Sequence, residues 1–136
     1  MDSEQYITIK RETFYEMVYH CIQEKPLSAR GVLAGAAAAH MLEKLVSVDP
    51  GAEDATGETI GVMQMKSRLQ GRGLKALAHF RSHPLGGAEP TKYEIESFSD
   101  PAVHLIVVSL QDSGVPMVKA YSIAGSRVCR IRIEIE

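Results

Sequence analysis

The segment that decides the fold is Arg81-Ser82-His83-Pro84, followed after five residues by Pro90-Thr91-Lys92-Tyr93-Glu94. The pair Gly86-Gly87 predicts a turn between the two parts. Thr91 is followed three residues later by Glu94, which is the spacing of a capping box and predicts that a short helix begins there. The segment therefore predicts a strand, a glycine turn and a helix in close succession. It is also the one stretch of this sequence whose residue types could form a catalytic or metal-binding site.

The segments before this unit alternate between strand and helix patterns. Apolar residues recur every three or four positions from Glu12 to Glu24, which predicts a helix with one face on a sheet. A hairpin is predicted from residues 31–35 and 41–48, although the alanine run between them favours helix. The other predictions are a strand at Tyr6–Ile9, a polar loop over 49–57, a second helix over about 58–70 and a strand at 74–81.

Three strand patterns follow the unit, and turn signals separate them. They cover residues 103–110, 117–123 and 128–135. Their order predicts an antiparallel meander. In the last strand isoleucines alternate with charged residues, which predicts one buried and one solvated side. Lys119, Arg127, Arg130 and Arg132 form a small basic strip, interpreted as a solvated face because Glu134 and Glu136 lie beside it.

Size and composition indicate one globular domain over residues 1–136. The chain has 136 residues, of which 45% are hydrophobic and 24% charged, so it can bury one sizeable core but hardly two. The net charge is -2, and basic and acidic residues are interspersed along the chain. This pattern argues against nucleic acid and anionic membranes as main partners. Homo-oligomerisation is left open.

Cysteine usage and the first residues indicate the compartment. Cys21 and Cys129 form no Cys-x-x-Cys pair, so neither a disulfide framework nor a thiolate zinc clip is predicted. The start Met1-Asp2-Ser3-Glu4 lacks the pattern of a signal peptide, and no apolar run is long enough to span a bilayer. These features predict a cytoplasmic protein.

The central segment resembles the JAMM signature, in which His-x-His-Pro is followed by a short spacer and Pro-Ser-x-x-Asp. The apolar hairpin that opens with Gly31-Val32-Leu33-Ala34-Gly35 and the closing strands at 104–110 and 120–123 extend this resemblance to JAMM/MPN proteins over nearly the whole chain. It implies a single α/β domain with a curved, mostly antiparallel sheet flanked by helices, in a layout similar to that of cytidine deaminases.

The resemblance also implies a chemistry. In that family two histidines and an aspartate bind zinc, a serine supports the site, and an upstream glutamate activates the zinc-bound water. Stand-alone prokaryotic members act as peptidases or isopeptidases on ubiquitin-like or sulfur-carrier tails. The implied cofactor is therefore zinc, and the implied partner is a protein or peptide tail.

This sequence departs from the signature at several functional positions. In an alignment on His83-Pro84, the first zinc histidine becomes Arg81, the serine becomes Thr91 and the aspartate becomes Glu94. Ser28 stands at the position of the catalytic glutamate, and a neutral hydroxyl cannot act as a general base near neutral pH. Of the functional positions only His83 is kept, so the departures argue against hydrolysis by the family mechanism and leave zinc binding open.

Two hypotheses account for the altered positions. In the first, the guanidinium of Arg81 replaces the metal and forms a salt bridge with Glu94, which makes the domain a noncatalytic or weakly active binding or scaffold module.

In the second, zinc is retained by a shifted set of His79, His83 and Glu94, with Glu24 as the nearest upstream acid that could serve as base. Strand residues four positions apart are separated by about 13 Å, so this set requires a bulge or bend at Phe80-Arg81.

Overall fold

The computed structural model describes residues 5–36, 41–42, 44–48, 70–71, 73–97, 103–112 and 114–136. Ten elements lie within them: β1 (Tyr6–Ile9), α1 (Arg11–Glu24), β2 (Arg30–Ala36), β3 (Met41–Leu42), β4 (Lys44–Val48), β5 (Leu74–His83), α2 (Lys92–Ser97), β6 (His104–Ser109), β7 (Met117–Ala124) and β8 (Arg127–Ile135). The predicted loop over 49–57 lies outside the described residues. The predicted helix over about 58–70 also lies outside the described residues, except for its last residue, Gln70, which is helical.

The strands form one mixed sheet in the order β3-β1-β8-β7-β6-β5-β2-β4. Four pairs are antiparallel, β2–β4, β2–β5, β6–β7 and β7–β8. Three are parallel, β1–β3, β1–β8 and β5–β6. The C-terminal meander is confirmed, and the predicted hairpin is confirmed for residues 44–48, which pair with β2. Its first part was wrong, because Met41–Leu42 pairs with β1 instead. The connection from β5 to β6 carries α2 because parallel neighbours need a crossover.

The sheet curls until its margins approach each other. Strands β3 and β4 stand at opposite ends of the strand order, yet only residue 43 separates them in the chain. One core cluster joins Met17 and Cys21 of α1 to strand residues from both margins, including Ile9, Leu33 and Leu42. Helix α1 therefore packs on the concave face, and the predicted curved, mostly antiparallel α/β fold is confirmed.

The apolar spacing over 12–24 places Ile22 on the buried face of the helix, and the alternation of the last strand does the same for Ile135; both predictions were wrong. The buried residues of α1 are Thr13, Met17 and Cys21, which are spaced four residues apart and form one line along the helix. Ile22 lies off that line and is 47% exposed. In β8, Ile131 is buried but Ile135 is 41% exposed. Beyond Ile131 the pairing of β8 with β7 has ended and only β1 flanks it, so less of the sheet covers its side chains.

Strand β5 divides its side chains between two environments. Ala78 and Phe80 point into the α1 core, and the alternation of a strand places His79, Arg81 and His83 on the opposite face. A second cluster on that face contains Val107 and Tyr121, with Ile95 of α2 packed against it. Helix α2 thus covers the convex face where β5 ends. No helix in the described part of the chain is long and apolar enough to cross a membrane.

Candidate functional site

The site is built where β5 ends, the chain turns and α2 begins. The predicted capping box is confirmed, because the Glu94 amide donates to Thr91 Oγ1 (3.1 Å) and the Thr91 amide donates to Glu94 Oε1 (2.8 Å). These bonds satisfy orphan donors of the first helical turn. They also fix the Glu94 carboxylate at the start of α2, facing the last residue of β5.

His83 and Glu94 form a close pair. His83 Nε2 lies 2.9 Å from Glu94 Oε2 and 3.1 Å from Oε1, and His83 Nδ1 lies 2.8 Å from the Gly87 carbonyl oxygen. The two side chains are only 12% and 7% exposed. A carbonyl and a carboxylate both accept hydrogen bonds, so the arrangement is satisfied when both ring nitrogens carry a proton. The geometry favours an imidazolium–carboxylate ion pair.

The directions in which the two pKa values shift agree with this geometry. The hydrogen bond to Glu94 raises the pKa of His83 above its ordinary value, against the effect of burial. Burial pushes the pKa of Glu94 upward, but hydrogen bonds from His83 and the Thr91 amide hold it below its ordinary value. The charge of Arg81 lowers both pKa values, so Arg81 acts on the same site. The predicted Arg81–Glu94 salt bridge stays a prediction.

His79 lies further back along β5. The register from Ala78 to His83 against β6 is continuous, and the irregularity of β5 lies at Leu77, opposite the step from Leu33 to Ala34. Within the described strand there is consequently no bulge at Phe80-Arg81. His79 and His83 remain about 13 Å apart along the strand, so the bend required by the shifted zinc set is missing.

Ser28 does lie beside the site strand. Its hydroxyl donates to the Ser82 carbonyl oxygen at 2.6 Å, one residue before His83. As a neutral hydroxyl at the protein surface, it offers no carboxylate to activate water. Glu24, the alternative base, is the last residue of α1, and the described carboxylate that contacts His83 is that of Glu94.

Ser82 is a positioning residue that the sequence did not reveal. Its side chain is fully buried, and Oγ accepts a hydrogen bond from the Ala29 amide at 2.7 Å while its own amide donates to the Ala29 carbonyl at 2.9 Å. Burial raises the pKa of the Cys21 thiol, and the Ser82 hydroxyl lowers it by a smaller amount. The available signal was a serine at an inward position of a strand, where an apolar residue is expected.

The turn between His83 and Thr91 is held by three successive carbonyls. Gly86 accepts from Ser109 Oγ at 2.6 Å, Gly87 accepts from the His83 ring, and Ala88 accepts from the Tyr121 hydroxyl at 2.6 Å. Tyr121 and Ser109 come from strands that follow in sequence, so no local pattern predicts these contacts. The loop is therefore fastened to β6 and β7.

Among the described residues, the available donor set does not fit a zinc ion. No group of three or more histidine, cysteine, aspartate or glutamate side chains there could hold a metal. The two candidate ligands that do meet, His83 and Glu94, bind each other. The neighbouring position on the same strand face is the cation Arg81. A catalytic zinc site needs three protein ligands and an open position.

Comparisons with known proteins place the fold. No protein-family model and no curated protein matches the chain. A solution structure from Desulfitobacterium hafniense matches with a TM-score of 0.79 and 23% identity, over 96% of this chain and 92% of that chain. An MPN domain protein from Archaeoglobus fulgidus matches with a TM-score of 0.65 and 15% identity, over 97% and 99%.

A structure described as a metalloprotease-like zinc site of the JAMM type, in the proteasome and signalosome, matches with a TM-score of 0.63 and 14% identity, over 97% and 99%. At such identities the likeness establishes the architecture alone. The chain has a JAMM/MPN-like α/β fold.

Proposed function

We propose that this chain is a noncatalytic binding module of JAMM/MPN-like fold, whose metal centre has been replaced by a protein-only charge cluster. The observation that carries this proposal is the His83–Glu94 pair, in which both ring nitrogens face acceptors at 2.8 to 3.1 Å. A histidine that binds a metal must present an unprotonated nitrogen. Here protonation of both nitrogens is stabilised instead.

Arg81 fits the same proposal. A metal ligand at this position would be neutral or anionic, whereas a guanidinium stays protonated and repels a divalent cation. Its charge already acts on His83 and Glu94. In the proposed module Arg81 takes the place of the first zinc histidine, and its positive charge substitutes for part of the charge of the metal.

The lack of a described base beside the pair supports a loss of hydrolysis. Ser28 occupies the position of the family glutamate, and its hydroxyl is already donated to Ser82. No described carboxylate other than Glu94 contacts His83. The partner in this proposal is a protein or peptide tail in the cytoplasm, with ubiquitin-like tails as the class that the fold suggests.

The alternative is an active zinc peptidase or isopeptidase that uses a shifted ligand set. The observation in its favour is that His83 and Glu94, two of the three candidate ligands, lie within hydrogen-bonding distance. Against it stand the unbroken register of β5 after Ala78 and the cation at position 81. This alternative predicts that added zinc displaces the ion pair and restores cleavage.

Metal analysis separates the two functions. Protein purified without chelator is assayed for zinc by elemental analysis, alongside Glu94→Gln and the matched control Glu96→Gln from the same helix. We expect no stoichiometric zinc in any of the three, and no cleavage of peptide-linked ubiquitin-like substrates after incubation with zinc. About one zinc per chain, lost in Glu94→Gln and retained in Glu96→Gln, would overturn the noncatalytic proposal.

A further inference from the structure

Strands β7 and β8 separate partway along their length. Their ladder runs from the Ala124–Arg127 pair to the Ala120–Ile131 pair and ends there. Beyond that point residues 117–119 continue beside β6, while residues 132–135 continue beside β1. Each of these two segments thus keeps one strand edge without a described partner strand. Both free edges face the same opening in the sheet.

This opening is a cleft of about 580 Å³, within the range of about 300 to 1,000 Å³ that ligand sites occupy. It is lined by Gln5, Val118, Lys119, Ala120, Arg130, Ile131, Arg132 and Ile133. The lining mixes residues from both faces of the sheet because the cleft passes between two diverging strands. We call it the β7/β8 cleft.

The β7/β8 cleft combines apolar residues with three cations. None of its lining residues is acidic, although the whole chain has a net charge of -2. Lys119 and Arg132 pair with acids outside the lining, Glu89 at 3.2 Å and Glu134 at 2.8 Å. Such partly exposed pairs contribute little, so an incoming carboxylate can exchange with them.

Arg130 is the most available cation of the cleft. It is exposed, and within the part of the chain that the structure describes it forms no ion pair. Arg132, its neighbour on the same side of β8, is held over the Tyr6 ring at 5.5 Å, which orders its guanidinium. The cleft therefore presents fixed positive charge beside strand edges that lack a described partner.

We propose that the β7/β8 cleft binds an extended acidic peptide segment of a partner protein. The segment adds as a strand to a free edge of β7 or β8, places carboxylates on Arg130 and its neighbouring cations, and buries alternate apolar side chains against Val118 and Ile133. Three cations in an acidic chain do not make the broad field that nucleic acid requires. This site goes beyond the proposed function and does not depend on the state of His83 and Glu94.

The test uses a synthetic seven-residue peptide that alternates glutamate and valine, titrated into the full chain and followed by two-dimensional amide NMR. We expect shift changes concentrated at residues 118–120 and 130–133. Arg130→Glu should weaken binding about tenfold, which corresponds to about 1.4 kcal/mol. Arg127→Glu, an exposed substitution on the same strand outside the cleft, should change it less than about twofold. Binding should also weaken with salt.

Two further peptides separate charge from strand addition. A lysine–valine peptide of the same length should not bind, and the glutamate–valine peptide with N-methylated valines should bind far more weakly because it cannot complete a strand ladder. The proposal is overturned if the acidic peptide produces no shifts in the cleft, if both Arg→Glu variants weaken it equally, or if a DNA oligonucleotide binds there in preference to the peptide.

Discussion

Replacing Glu94 with glutamine tests the ion pair directly, because the change preserves shape and removes charge. The amide oxygen of glutamine can still accept from the Thr91 amide, so the capping box that is now closed at 2.8 Å survives. What is lost is the charge-assisted bond to His83. The substitution therefore isolates the electrostatic part of the contact from its role in helix capping.

The expected cost follows from burial. Hydrogen bonds to charged groups contribute about 1.5 to 3 kcal/mol, and this pair is 12% and 7% exposed. We expect Glu94→Gln to lower the free energy of unfolding by about 2 kcal/mol near pH 5.5. In a chain of this length that corresponds to a fall in Tm of about 6 °C.

The cost should depend on pH in a defined direction. The pKa of His83 is raised from its ordinary 6.5, so its contribution is complete below that pH and is lost as the pH rises through the raised pKa. The pKa of Glu94 is lowered from its ordinary 4.5, so its contribution is complete above that pH and is lost as the pH falls through the lowered pKa. The difference in the free energy of unfolding between wild type and Glu94→Gln should be largest between pH 4.5 and pH 6.5.

Alkaline pH gives the sharper contrast. Once His83 is neutral and keeps its proton on Nδ1 for Gly87, its Nε2 lone pair faces an anionic carboxylate in the wild type. In the variant the glutamine NH2 group can donate to that nitrogen. The stability difference should therefore shrink, or reverse, at an alkaline pH above the raised pKa of His83.

The measurement is urea unfolding followed by circular dichroism at both pH values, with Glu96→Gln as control on the same helix. The control substitution should leave the free energy of unfolding almost unchanged at each pH, because position 96 is exposed. A Glu94→Gln cost that is the same at both pH values would refute the ion-pair assignment and leave helix capping and packing as the roles of this residue.

Three further predictions concern the supports of the site. Ser82→Ala should lower the free energy of unfolding by about 1 to 3 kcal/mol in urea titrations, because the buried Ala29 amide loses its acceptor; an unchanged midpoint would show that the serine is dispensable. Tyr121→Phe should cost about 1 kcal/mol through the lost bond to the site loop, which the same titration measures. Burial raises the pKa of the Cys21 thiol to about 12, whereas Cys129 is exposed, so a thiol reagent should label Cys129 in the native protein and Cys21 only after unfolding. Equal labelling rates would contradict the buried position of Cys21.

Periodic and local patterns predicted the parts of the fold that depend on neighbours in sequence. The capping box at Thr91 and Glu94, the helix through Met17 and the C-terminal meander follow from spacing alone. Contacts between distant residues were not predictable, because alternation assigns a side chain to a face but not to a partner. The pairing of Ser28 with Ser82 across 54 residues illustrates this limit.

The candidate site shows the same limit at atomic scale. Sequence reasoning selected His83 and Glu94, but it brought them together only as possible zinc ligands and proposed Arg81 as the ionic partner of Glu94. The structure adds a direct contact from His83 Nε2 to the Glu94 carboxylate at 2.9 Å. That contact depends on the path of the loop through Gly87, whose carbonyl holds the other ring nitrogen. Spacing along the chain carries no information about such a path.

The site where β5 ends and the β7/β8 cleft differ in how far their hydrogen-bonding groups are satisfied within the fold. At the site where β5 ends, both His83 nitrogens, the Glu94 carboxylate and the loop carbonyls of residues 86–88 are engaged within the fold. A partner that bound there would have to replace contacts that already exist, which costs about as much as it returns. The β7/β8 cleft has two strand edges without a described partner strand and a cation, Arg130, without an ion pair among the described residues. A ligand that uses those edges and Arg130 replaces only the partly exposed ion pairs of Lys119 and Arg132, so binding capacity is expected there even if the site at the end of β5 serves only to hold the fold together.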